Sequence, residues 1–235
     1  MARMRVHRLG MVAALLVTAT PLSAGSLEIG PTRVQMIGPE RTATLTIRNV
    51  DSAPSNIQVR TVDWSQPEGA DLYAPSKQLL ASPPMVTLAP GESQVIRLVV
   101  EDLPKVPGET AFRLILDEIR PQRAEGGAGV QAALRALVPV FVTPSTQSRP
   151  KLRWTAARSG QNVLLTAHND GDARDRLVNL NVTAGGKAVG DPLEGYVLSR
   201  ARRSWTLAAV PAATSLRVAA EGDYGAVQAD VPIGQ

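Results

Sequence analysis

The 235-residue chain contains no cysteine and only two histidines, His7 and His168. Without cysteine it has no disulfide, no thiol nucleophile and no thiolate metal ligand. Because His7 lies in a segment that is expected to be removed, the mature chain keeps one histidine, which excludes a histidine-rich metal site. This inventory of side chains disfavours an enzyme and predicts neither a metal nor another cofactor.

Aromatic residues are scarce, at 3% of the chain, and the net charge is small. The formal charge of +4 falls to about +1 without Arg3, Arg5 and Arg8, since 22 basic residues then face 21 acidic ones. Binding of nucleic acid requires a concentrated basic face or aromatic platforms for the bases. The composition therefore predicts that nucleic acid is not a partner.

The chain also lacks an apolar run long enough to cross a bilayer. The short apolar run Met11–Val17 follows the three N-terminal arginines and precedes the small residues of Leu22–Gly25. This order is typical of a secretory signal, which we assign to residues 1–25; an uncleaved N-terminal anchor is the alternative. The mature protein is therefore expected outside the cytoplasm, without membrane insertion.

Strand signals dominate what remains, as short runs of β-branched and aliphatic residues separated by Pro, Gly, Asn and Asp. Thr42–Asn49 and Ile57–Trp64 alternate apolar and polar side chains, as half-buried strands do. The segment Pro67–Leu80 is interpreted as a loop. Three aromatic residues are interpreted as sandwich core: Trp64, Trp154 and Trp205. Seven or more short strands at this spacing predict an immunoglobulin-like β-sandwich.

The pattern predicts two such domains. Residues 26–143 form the first, residues 144–150 are a linker rich in Pro, Ser and Thr, and residues 151–235 carry a second, shorter set of strands. No convincing helical periodicity follows the signal. The predicted fold class is therefore all-β.

The most informative stretch is Val130–Val142, which is long for a globular strand and apolar on both faces. Pro139 lacks the N–H that a central strand donates, so it favours an edge or a bulge. A long apolar edge is an aggregation hazard unless a partner covers it, for instance by strand addition. The alternative is a central strand buried on both faces.

Several segments, in this order and spacing, resemble the PapD-like family of periplasmic pilus-assembly chaperones. The matching segments are Leu27–Val34, Thr44–Asn49, Gln58–Trp64, Ser82–Pro84, Leu88–Gly91, Gln94–Leu98, Glu109–Leu114, Glu118–Ile119 and Asp223–Ala226. The resemblance implies two immunoglobulin-like domains set at an angle, with a cleft between them. It also implies that the last long strand of the first domain is donated to an incomplete pilin sandwich.

The resemblance also implies roles for individual residues. The strand that binds the subunit carries the alternate side chains of Val130, Ala132, Leu134, Ala136 and Val138. In the family, a cleft arginine and a lysine bind the terminal carboxylate of the pilin. Arg33 matches the arginine, but Pro139 occupies the lysine position. Arg113, on the strand expected to pair with Val130–Val142, is the proposed substitute.

A further family feature is a cluster of charges that fixes the angle between the domains. Glu109 and Asp223 match its acidic members, whereas Thr143 stands where the family has an arginine. Two acids without that arginine repel each other unless Arg113, Arg149 or another cation compensates.

The predicted function is thus that of a periplasmic, non-enzymatic chaperone that captures pilin or fimbrial subunits and passes them to an outer-membrane usher. Self-association of the free protein through the apolar strand is a further expectation. A secreted structural or adhesive immunoglobulin-like module is the alternative, and an exported hydrolase is a third reading.

Overall fold

The computed structural model describes residues 27–101, 108–119, 133–208, 210 and 213–234. In these ranges ten strands belong to the first domain: β1 (Leu27–Gly30), β2 (Val34–Ile37), β3 (Thr42–Asn49), β4 (Ser55–Ser65), β5 (Leu72–Pro75), β6 (Leu79–Ser82), β7 (Met85–Leu88), β8 (Ser93–Val100), β9 (Thr110–Ile119) and β10 (Arg135–Thr143). Eight belong to the second: β11 (Leu152–Ser159), β12 (Asn162–Asn169), β13 (Asp175–Ala184), β14 (Lys187–Ala188), β15 (Leu193–Val197), β16 (Arg202–Leu207), β17 (Ser215–Gly222) and β18 (Gly225–Gly234). Within the described part of the chain, no helix is long and apolar enough to cross a membrane.

The first domain is a sandwich of two sheets. One sheet has the strand order β1-β3-β8-β6, and the other has the order β2-β10-β9-β4-β5 with β7 paired to β4. In β3, Leu45 and Ile47 are buried whereas Thr44 and Thr46 are exposed, which confirms the alternation predicted for this segment. Inward side chains of both sheets meet in one apolar core.

The second domain has its own core, built by the strand order β14-β13-β17-β18-β11-β12-β16 with β15 paired to β13. Trp154 and Trp205 pack on this core with their ring centroids 6.1 Å apart, as predicted for core residues. The predicted class, all-β with two β-sandwich domains, is therefore confirmed.

Two expectations were wrong. The segment Pro67–Leu80 is not a loop throughout, because β5 and the start of β6 lie within it. The strand β5 forms because it pairs with the end of β4, where Trp64 lies opposite Tyr73. Trp64 in turn is buried, but in a small cluster between the domains rather than in a sandwich core.

The two domains contact each other through apolar side chains and hydrogen bonds. Trp64 and Phe141 of the first domain pack with Leu198 of the second. The Gln66 side chain donates to the Tyr196 carbonyl (2.8 Å) and accepts from the Leu198 amide (3.0 Å). These contacts bring β9 and β10 close to β13 and β15, and a cleft lies between them.

Candidate functional site

The strand β10 has an open edge over half of its length. It pairs antiparallel with β9 from Arg135 to Val142, but its parallel pairing with β2 begins only at Val140. Within the described residues, positions 135–139 therefore have a neighbouring strand on one side only, whereas positions 140–143 are central. The strand is thus an edge at one end and a buried central strand at the other.

The main-chain groups of β10 alternate between β9 and the open side. The Glu118 amide donates to the Leu134 carbonyl (2.9 Å), so the main chain of Leu134 faces β9. Because this direction alternates along a strand, the N–H and C=O groups of Arg135 and Leu137 point to the open side. Pro139 belongs to the same set, so its missing N–H removes no bond between β10 and β9.

The row of side chains expected to bind a subunit continues into the protein's own core. Leu134 and Ala136 are half-buried, and Ala136 packs against the core of the first domain. Val138 is part of that core, with 4% of its surface exposed. In the free protein its side chain is therefore covered by the chain's own residues. Val130 and Ala132 lie outside the described residues.

Arg33 immediately precedes β2 and lies in the cleft between the domains. Its guanidinium forms an ion pair with the Asp223 carboxylate of the second domain. The side chain of Arg33 is 40% exposed, so it remains partly accessible to solvent. The structure thus brings together two residues that the sequence assigned to different roles.

Arg113 lies directly opposite Pro139 in the pairing of β9 with β10. Its guanidinium carbon is 3.8 Å from the centroid of the Trp64 ring. Its Nη1 donates to the Leu137 carbonyl (3.4 Å), while its Nε is buried without a hydrogen-bond partner. Arg113 thus lies beside Pro139, with its guanidinium against the Trp64 ring.

The cleft has a volume of about 430 Å³ and an excess of positive charge. It is lined by Thr32, Arg33, Arg113, Pro139, Arg176, Tyr196 and Asp223. The lining thus contains three guanidinium groups and one carboxylate. Sequence reasoning missed Arg176 and Tyr196, because they belong to β13 and β15 of the second domain and no local pattern indicates which side of that domain faces the cleft.

A buried arginine supplies the cation that the interdomain acids need. Arg174 of the second domain donates from Nη1 to Glu109 Oε2 (2.6 Å), and its Nη2 lies 4.0 Å from Asp223 Oδ2. The Thr143 hydroxyl donates to the same Glu109 oxygen (2.6 Å). Arg174 therefore compensates Glu109, and Arg33 is the nearer partner of Asp223. The sequence had named Arg113 and Arg149 and had left another cation open.

The environment of Arg174 explains how a charge is tolerated there. Its guanidinium carbon lies 3.6 Å from the centroid of the Phe141 ring, and its Nη2 donates to Gln35 Oε1 (3.3 Å). Next to it, burial raises the pKa of the Asp175 carboxyl, which accepts a hydrogen bond from the Asp223 amide (2.8 Å). The interface thus concentrates charged groups that depend on one another for hydrogen bonds.

Comparison with known proteins agrees with this architecture. A family model described as "Pili and flagellar-assembly chaperone, PapD N-terminal domain" matches residues 26–148. The "Uncharacterized fimbrial chaperone YcbF" of Escherichia coli K12 is 30% identical over 181 residues, which are 72% of this chain and 70% of the relative. "Chaperone protein PapD" of Escherichia coli is 26% identical over 192 residues, 78% of this chain and 70% of the relative.

Solved structures show the same fold. A chain of the CsuC–CsuE chaperone–tip adhesion subunit pre-assembly complex, from the archaic chaperone-usher Csu pili of Acinetobacter baumannii, has a TM-score of 0.71 and 19% identity. The match covers 90% of this chain and all of that one. The chain belongs to the PapD-like family of pilus-assembly chaperones, as the sequence motifs indicated.

Proposed function

We propose that this chaperone captures a pilin or fimbrial subunit by adding its own β10 to the subunit's incomplete sheet. The observation that carries the proposal is the open edge at residues 135–139, which ends beside a positively charged cleft. Unpaired main-chain groups give a strand affinity for a partner, and alternate side chains give it specificity. The subunit is thereby shielded until it passes to an outer-membrane usher.

The side chains that enter the subunit are those of the even-numbered row. Leu134 and Ala136 are its described members, and Val130 and Ala132 extend it along the sequence. Val138 continues the same row inside the chaperone, so the cores of subunit and chaperone would be continuous. Each aliphatic side chain buried in this way contributes about 1.5–3 kcal/mol, and Ala132 contributes less.

The cleft binds the subunit's terminal carboxylate in this proposal. The open edge of β10 ends at Pro139, and a strand added to β10 would end there too. Arg33 and Arg113 lie on either side of this point. Arginine suits this task because its planar fork forms two parallel hydrogen bonds with a carboxylate. Glu109 and Asp223 hold the domains, and therefore the two walls of the cleft, in place.

The proposal places the protein in the periplasm, after cleavage of residues 1–25, as a non-enzymatic chaperone. Binding and strand exchange require no nucleotide, metal or other cofactor. Nucleic acid is not among the partners, and no insertion into a membrane is involved. Without a subunit, the open edge at residues 135–139 would favour self-association.

The proposal is tested by co-expressing the chaperone with the subunits encoded by neighbouring genes and measuring co-purification. Leu134→Glu places a charge in the subunit's core, and Arg33→Ala removes a ligand of the carboxylate. Both variants should lose the subunit while remaining folded. Leu164→Glu is the matched control, because Leu164 is a leucine of the second domain that is 42% exposed.

Normal capture by both Leu134→Glu and Arg33→Ala would contradict the proposal. Equal loss of capture in Leu164→Glu would also contradict it, because the effect would then follow from charge alone and not from position on the open edge. Circular dichroism of each purified variant verifies that the fold is intact.

A further inference from the structure

The positive charges of the cleft are not equally available. Arg33 is already paired with Asp223, and Asp223 also lies 4.0 Å from Arg174. Among the described residues, no carboxylate lies within ion-pair distance of Arg113 or Arg176. The uncompensated charge of the cleft therefore lies on Arg113, from the first domain, and on Arg176, from the second.

Both arginines lie near the same aromatic ring. The guanidinium carbons of Arg113 and Arg176 are 5.5 Å and 5.9 Å from the centroid of the Tyr196 ring. The negative face of an aromatic ring partly offsets the cost of holding cations there. It does not remove the repulsion between two like charges, which an anion placed between them relieves.

Arg176 is exposed on β13, whereas its neighbours Arg174 and Asp175 are buried. Arg113 lies over the Trp64 ring and donates a hydrogen bond to the Leu137 carbonyl (3.4 Å). The two guanidinium groups thus reach one cleft from different domains, and Pro139 lines the same cleft.

We infer that Arg176, from the second domain, is a ligand of the carboxylate that this cleft binds, so that the bound carboxylate bridges the two domains. The inference rests on the proposed function and adds one residue to it. This residue belongs to the second domain and lies in none of the segments that resemble the family. Both the positive charge of Arg176 and the planar geometry of its guanidinium contribute to carboxylate binding, so a lysine at this position would replace it only in part.

The test uses the purified full chain and three synthetic peptides of alternating valine and threonine, an extended pattern suited to the open edge of β10. The first peptide ends in a free carboxylate and the second in an amide. The third ends in a glutamate with an amidated C-terminus, which separates a terminal from a side-chain carboxylate. Affinities are measured by calorimetry for the wild type, Arg176→Gln, Arg176→Lys and the control Arg217→Gln.

Arg217 is a matched control because it is an exposed arginine of the second domain, paired with Asp230 and absent from the cleft lining. The wild type and Arg217→Gln should bind a carboxylate peptide on the order of tenfold more tightly than the amide, as expected for one charge-assisted contact. Arg176→Gln should lose most of this preference, and Arg176→Lys should keep part of it. Thermal stability should be the same in all four proteins.

Full preference for a carboxylate in Arg176→Gln would overturn the inference and leave the role of Arg33 and Arg113 standing. A wild type that binds none of the peptides, or does not distinguish carboxylate from amide, would contradict the proposed anchoring itself, and the role of Arg176 would fall with it. Preference for the glutamate peptide alone, lost in Arg176→Gln, supports Arg176 as the ligand of a side-chain carboxylate.

Discussion

Arg174 of the second domain and Glu109 of the first form a buried ion pair, with 2.6 Å between Nη1 and Oε2 and side-chain exposures of 2% and 1%. The pair joins the two domains beside the linker. Its geometry is supported by the Thr143 hydroxyl, which donates to Glu109, and by the Phe141 ring next to Arg174. Arg174 thus reaches across from the second domain to an acid of the first.

Arg174→Met should destabilise the protein strongly, because it leaves the Glu109 carboxylate buried without its cation. Removing one partner of a buried pair costs about 3–5 kcal/mol. The free energy of unfolding is measured in urea by tryptophan fluorescence, to which Trp64 at the interface contributes. The double variant Arg174→Met/Glu109→Gln should regain part of the loss.

Arg217→Met is the control for this experiment, since Arg217 and its partner Asp230 are both 73% exposed. Its effect should stay within about 0.5 kcal/mol. If Arg174→Met lowered the free energy of unfolding no more than Arg217→Met does, the ion pair between Arg174 and Glu109 would not be what holds the domains together.

Gly171 should resist substitution because the linker lies against it. A Cβ at this position would lie 2.3 Å from the Arg149 carbonyl oxygen and 2.5 Å from the Lys151 nitrogen, both of them main-chain atoms. Gly171→Ala should therefore reduce stability by about 1–3 kcal/mol, as overpacking does. Gly234→Ala, whose Cβ meets only the Ala156 oxygen at 3.5 Å, should change the melting temperature little. Equal melting temperatures of the two variants would contradict the packing described for the linker.

Asp117 should make the stability of the first domain depend on pH in the acid range. Burial alone would raise the pKa of this carboxyl, but hydrogen bonds from Arg135 and Arg60 outweigh burial and hold the pKa below its ordinary value of 3.8. Because the pKa is lower in the folded state, the stabilisation is present above that ordinary value and is lost as the pH falls through the folded-state pKa.

Asp117→Asn should accordingly cost about 1 kcal/mol near neutral pH, and the difference from the wild type should vanish in acid. The difference in the free energy of unfolding between the two proteins is measured by urea unfolding at a series of pH values. Asp170→Asn, which removes the exposed pair of Asp170 with Arg153, is the control and should have little effect. A difference between wild type and Asp117→Asn that persists unchanged below the folded-state pKa would rule this explanation out.

Local patterns in the sequence predicted much of the fold. Thr42–Asn49 and Ile57–Trp64 show the alternation that a half-buried strand requires, and both are strands. The strand β5 was missed because its residues Leu72–Pro75 are all exposed and depend on pairing with β4. Strands of this kind are specified by a partner distant in sequence, not by their own periodicity.

The site was predicted in part for a related reason. Arg33, Arg113 and the acids Glu109 and Asp223 stand in segments that resemble the family, and three of these four line the cleft. Arg174 and Arg176 stand in no such segment. Their roles depend on how the second domain packs against the first, which involves contacts between residues far apart in the sequence.

The central claim is that the open edge of β10 pairs with a strand of the subunit, and amide hydrogen exchange tests it most directly. In the free protein, the amides of Arg135 and Leu137 should exchange rapidly, whereas those of Ala136 and Val138, which face β9, should be protected. In the purified complex with a subunit, the amides of Arg135 and Leu137 should become protected as well. Rapid exchange of both amides in a stable complex would contradict it.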